Sequence, residues 1–171
     1  MAAIDCTESG LVFRFEESEL FRPELDPAVE KLQGVKRCDF ITYHNSRYLH
    51  FIEVQNSAPS PAGDKDALKK ELDECLEKFM HSLLLFLSHY CKRRVFSTFP
   101  SGMNALKLAA LPIRFILLLP EFDKEGCSQI QNKLQLQTVR VHRAFGKIEA
   151  FVVNKENAHK KGIHVSVPSA H

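Results

Sequence analysis

The chain has 171 residues, 44% of them hydrophobic, which is enough for one globular domain with a sizeable core and short for several. A formal net charge of +2 produces no whole-molecule field announcing a polyanionic partner, so any nucleic-acid contact has to come from local patches. Five cysteines at scattered spacings, with no CxxC pair, argue against a disulfide framework and a structural zinc site, and the absence of a Gly-rich phosphate loop excludes P-loop nucleotide chemistry.

Taken in chain order, the start Met1-Ala2-Ala3-Ile4-Asp5 lacks the basic and apolar regions of a secretory leader. Leu11, Phe13 and Phe15 alternate with Val12 and Arg14 as a short strand that runs into the acidic cluster Glu16, Glu17 and Glu19. Asp26-Pro27 reads as N-cap and first residue of a short helix from Ala28 to Gln33, which Gly34 ends. Cys38 to Tyr43 and Tyr48 to Gln55 then form a β-hairpin around the polar turn His44-Asn45-Ser46-Arg47.

A Pro- and Ser-rich loop over 56–63 precedes the longest helix, capped by Asp64 or Asp66 and running to about Tyr90. Its first half is amphipathic, with Glu71, Asp73, Glu74 and Lys78 assigned to the wet side, and its second half is apolar nearly all round. Pro100 and Gly102 break up the next segment, where a short helix is expected at Asn104 to Ala110. The apolar run Ile113 to Leu119 between two prolines reads as a central strand. A helix from Asp123 to Leu136 follows, then a hairpin of Val139-Val141 with Ile148 to Val153, and an edge extension at Ile163 to Val167. No linker or repeat divides the chain, so one domain over 1–171 is expected, α/β in class, with a mixed sheet flanked by helices.

The hairpin carries the chemistry. Asp39 starts its first strand, Glu53 lies 14 residues later near the end of the second, and Gln55 shares the face of Glu53 by the two-residue period of a strand. Two carboxylates and an amide converging there make an oxygen-rich site for a hard divalent cation, Mg²⁺ or Mn²⁺. Asp39 with Glu53-Val54-Gln55 resembles the core motif of the PD-(D/E)xK nuclease superfamily, closely over residues 35–57. Cys38 stands where that motif has Pro, and Gln55 where it usually has Lys. The resemblance implies a restriction-endonuclease-like α-β-β-β-α-β core and phosphodiester hydrolysis on DNA, with Asp39 and Glu53 as metal ligands and Gln55 orienting water. It further implies Glu17 as an outer ligand, and Lys69 or Lys70, on the long helix, as the substitute cation. Arg93, Arg94, Arg140 and Arg143 are candidate phosphate contacts.

A different class competes with this: a catalytically inactive, nuclease-derived interaction subunit of a larger prokaryotic defence or mobile-element assembly. The apolar girth of the helix 66–90 favours it and predicts a protein partner or a homodimer through that helix. The run Leu83 to Leu87 is far too short to span a bilayer, so no membrane association is expected and the cytoplasm is the default setting. The histidines form no HExxH pattern, and Ser101-Gly102 lacks a GxSxG frame.

Overall fold

The computed structural model describes residues 2–44 and 47–168. Asn45 and Ser46, in the expected hairpin turn, lie outside the described residues. The elements in chain order are β1 (Ala3–Glu8), β2 (Leu11–Glu16), β3 (Leu20–Phe21), α1 (Pro27–Glu30), β4 (Phe40–His44), β5 (Tyr48–Val54), α2 (Lys65–Tyr90), β6 (Ile113–Leu118), α3 (Lys124–Phe145), β7 (Ile148–Val153) and β8 (His164–Ser166), with short 3-10 turns between them.

Two sheets and a helix layer stack on one another. The larger sheet has the order β3-β4-β5-β6-β7, antiparallel up to β5 and parallel from β5 to β7. Parallel neighbours need crossovers, and α2 and α3 supply them on one face of this sheet. The smaller antiparallel sheet β1-β2-β8 covers the other face. The mixed sheet flanked by helices is therefore present, and its second face is covered by strands.

Alternation along β5 sorts its residues between the layers. Leu49 and Phe51 face the helices, while Ile52 and Val54 face the small sheet. Burial on both faces is why this strand reads as a nearly continuous apolar run. On the helix side Phe115 stacks on Phe79 at 4.8 Å and meets Phe51 edge-on at 5.7 Å. On the other side Phe13 and Phe15 lie about Phe40, at 5.1 and 5.0 Å.

The expected caps are in place. Asp64 accepts hydrogen bonds from the Asp66 and Ala67 N–H groups, Asp123 from Gly126, and Asp26 from Ala28. Three expectations are corrected. Val139 and Val141 are not in a strand, because α3 continues to Phe145 and ends only at Gly146, whose φ of 106° leaves the helical region. The segment expected as a helix at 104–110 holds only the 3-10 turn Leu108–Ala110, with another, Ser101–Met103, just before it. A strand precedes the expected first one: β1 turns into β2 through Ser9 and Gly10, both at positive φ.

Within α2, Leu83, Leu85 and Phe86 are enclosed by the fold, whereas Leu84 is 58% exposed. No described helix is long and apolar enough to cross a membrane. These placements predict that Phe115→Ala lowers unfolding free energy by about 3–5 kcal/mol in urea titrations. Leu84→Ala should change it by less than about 0.5 kcal/mol. Equal losses would show that α2 turns a different face to the sheet.

Candidate metal centre

Asp39 and Glu53 meet at the C-terminal end of β5. Asp39 precedes β4, and its Oδ2 accepts a hydrogen bond of 2.7 Å from the Val54 N–H, which ties it to the residue beside Glu53. Glu53 points to the helix side and is only 1% exposed. Its Oε1 is bonded to Lys78 Nζ from α2, and its Oε2 is buried with no partner among the described residues.

Two further carboxylates complete the cluster. Glu8, the last residue of β1, and Glu24, in the 3-10 turn Pro23–Leu25, place carboxylate oxygens within 4.8 Å of one another and of Asp39. Arg22 lies among them, bonded to Glu24 and 3.8 Å from Glu8. Glu8, Glu24 and Asp39 are close enough to share a metal ion, and Glu53 lies beside this group without belonging to it. The donors are all carboxylate oxygens, a set suited to a divalent cation.

The candidate residues separate as follows. Asp39 and Glu53 are brought together. Gln55 Nε2 donates to Glu71 Oε1 at 3.0 Å, and its Oε1 is buried with no partner among the described residues. Glu17 is exposed at the start of a 3-10 turn, and it is Glu8 and Glu24 that join Asp39. Lys69 is paired with Asp73 on the surface of α2, and Lys70 is exposed. The cation at Glu53 is Lys78, two turns further on. Arg93, Arg94, Arg140 and Arg143 follow or end the crossover helices and so lie at the opposite end of the sheet.

The amphipathic pattern puts Lys78 on the wet side of its helix, yet the structure turns it inward. It lies three residues after Cys75 and four before Ser82, both fully buried, so all three share one face. That signal is in the sequence. Glu8 and Glu24 have no comparable signal, because only tertiary packing brings β1 and the Pro23–Leu25 turn to the end of β5.

Burial and charge set the protonation. Burial lifts the Asp39 carboxyl to about 6, against the Val54 hydrogen bond. Burial, and then the Asp39 charge, lifts Glu53 to about 8 against the pull of Lys78. For Lys78, burial pushes the pKa down, but the Glu53 hydrogen bond and the Glu53 and Asp39 charges outweigh it and hold the ammonium above its usual range. All three shifts act in one direction: the group keeps its protons to higher pH than free side chains do.

Comparison with protein-family models, with curated proteins and with solved structures returns no match.

A folded pKa above the unfolded one contributes stability that is complete below the unfolded value and is lost as pH rises through the folded one. The two carboxyls start from 3.8 and 4.5 and reach about 6 and about 8. In EDTA the melting temperature should therefore fall between about pH 5 and pH 8. Millimolar Mg²⁺ or Mn²⁺ should raise it more at pH 8 than at pH 5.5, because cation binding needs the deprotonated cluster. Glu53→Gln should flatten the dependence; an unchanged profile would show that Glu53 does not titrate in this range.

Proposed function

We propose that the carboxylate end of the sheet is a divalent-metal site for phosphodiester hydrolysis, of the PD-(D/E)xK type, acting on nucleic acid and on DNA in the first instance. The observation that carries this is Glu53: a buried carboxylate beside Asp39, with one oxygen on a lysine and the other buried with no partner among the described residues. The element order supports it as well, since a hairpin carrying both acids is followed by a helix and a parallel strand.

Asp39 and Glu53, with Glu8 and Glu24, would hold Mg²⁺ or Mn²⁺. The ion's contribution when bound is Lewis-acid neutralisation of charge on the phosphate. Asp39 is aimed by the Val54 N–H, which leaves its position independent of substrate. Lys78 takes the part expected of a strand lysine at position 55. Its ammonium has three donors and commits one of them to Glu53, so it is able to bond a phosphate oxygen or orient a water. Gln55 commits an amide N–H to Glu71 and carries no positive charge to supply. Its role is to brace the end of β5 against α2.

The reading of an interaction subunit has less support on α2 than the apolar sequence suggests. Most of its apolar side chains are enclosed by the fold itself, leaving Leu84 in solvent and Tyr90 partly exposed.

The experiment is a cleavage assay on fluorescent single-stranded and duplex DNA, with RNA as a further arm, in Mg²⁺, Mn²⁺ and EDTA. Divalent-dependent cleavage is expected, with Glu53→Gln inactive. Lys78→Ala should lose about 10²–10³-fold in kcat, the scale of one oriented donor in a transition state. Gln55→Ala should lose far less. No cleavage of any arm by the parent would reject the proposal, and a fully active Lys78→Ala would remove Lys78 from it.

A further inference from the structure

Charge in this protein is segregated along the strand axis. Three runs, 40–52, 78–120 and 126–148, contain eleven of the 23 Lys and Arg residues and none of the 21 Asp and Glu. The fold brings the exposed cations of these runs to one end. Leu49, Ile113 and Ile148, near the start of three neighbouring strands, lie in register. Each crossover helix runs back along the sheet to deliver the next strand, so Lys92, Arg93 and Arg94 after α2, and Arg140 and Arg143 late in α3, arrive at that same edge. Lys147 is anchored there, its carbonyl accepting from the Ile113 N–H. Arg47 and Lys107 line one cavity beside it with Tyr43.

These side chains are exposed, and among the described residues none of them is in an ion pair. Toward the carboxylate end Arg22, Lys69, Lys78 and Lys155 are paired with acids, while Lys65, Lys70 and Lys124 are in no ion pair among the described residues; near the basic edge Arg114 is paired with Glu149.

We propose that this basic edge, where β5, β6 and β7 begin, is a docking surface for the phosphate backbone of a nucleic acid, separate from the metal centre at the other end of the strands. Five residue steps along β5 set the two ends roughly 17 Å apart. Most of the cations are arginines, whose forked donors suit phosphate oxygens. The surface is a track rather than a plane. It continues up α3, where Gln129, Asn132, Arg140 and Arg143 are exposed and no carboxylate occurs from Gly126 to Phe145. A strand-like polyanion follows such a track, whereas a bilayer touches a single plane. Phe145, 47% exposed at the edge, offers a ring on which a base can stack. The inference stands on charge placement and does not rest on the metal reading.

The test is fluorescence anisotropy with fluorescein-labelled 20-nucleotide duplex DNA, single-stranded DNA and single-stranded RNA, in EDTA so that no cleavage or metal bridging intervenes. Binding is expected to at least one probe, weakening steeply with salt. Arg140→Glu/Arg143→Glu and Arg93→Glu/Arg94→Glu should each weaken it by about tenfold or more and reduce the log–log salt slope by about two. The milder Arg→Gln pairs, checked for a parental melting temperature, should weaken it in the same order. Lys155→Gln, which removes a cation paired with Glu121 away from the basic edge, should bind as the parent does. The proposal is overturned by no binding at low salt, by unaltered binding of both charge-reversed variants, or by an equal loss of binding in Lys155→Gln. Association with phosphatidylserine vesicles in place of all three probes would also overturn it. Binding without cleavage would reject the nuclease reading alone.

Discussion

The contact between Glu53 and Lys78 is the constraint on which the rest of the arrangement depends. Taking a carboxylate out of water costs several kcal/mol unless a partner compensates it. The partner comes from a different element, so β5 and α2 are held in one relative position. A one-residue slip of β5 would turn Glu53 toward the small sheet, among Phe13, Phe15 and Phe40. A rotation of α2 by one residue would carry Lys78 away from it. Hydrophobic contacts such as Phe79 on Phe115 tolerate small shifts, and this polar contact does not. It selects one packing among several that would bury similar apolar area.

Arg22 has a comparable part on the opposite side of the cluster. Its guanidinium lies 5.3 Å from the Phe40 ring centroid and reaches Glu8 and Glu24. Together Arg22 and Lys78 bring enough positive charge to keep four carboxylates near one another in the folded chain. A divalent cation entering this cluster competes with Arg22 for the same oxygens. Guanidinium and metal are alternative counter-ions, and the released arginine would be left beside whatever anion the metal attracts.

Much of the fold and half of the candidate site were legible in the sequence. Asp39 and Glu53 stand out because acids in an otherwise apolar hairpin break a strong alternation, and the caps Asp26, Asp64 and Asp123 are local chemistry readable over a few residues. The length of α3 was misread because Val139 and Val141 favour strands and alternate. The competing signal, Cys127, Ile130, Leu134, Thr138 and Val141 at helical spacing, lies on the sheet-facing side and decides the matter. β1 was missed because only Cys6 in it is buried, so it has almost no apolar pattern to read. Ser9-Gly10 was its one local trace. Residues that act at long range, Glu8 and Glu24 foremost, carry no sign of their destination in their own neighbourhood.

The position of β1 has a consequence for how long the cluster lasts as an assembled object. This strand is an edge that pairs with β2 alone, and most of its side chains are exposed. Elements with few buried contacts open at a free-energy cost well below that of global unfolding. Glu8 sits at the end of this strand, so each local opening takes one carboxylate out of the cluster while Asp39 and Glu53 stay in place on the core. Glu8 is thus the carboxylate of the group held by the most exposed strand, whereas Asp39 and Glu53 are fixed to the core.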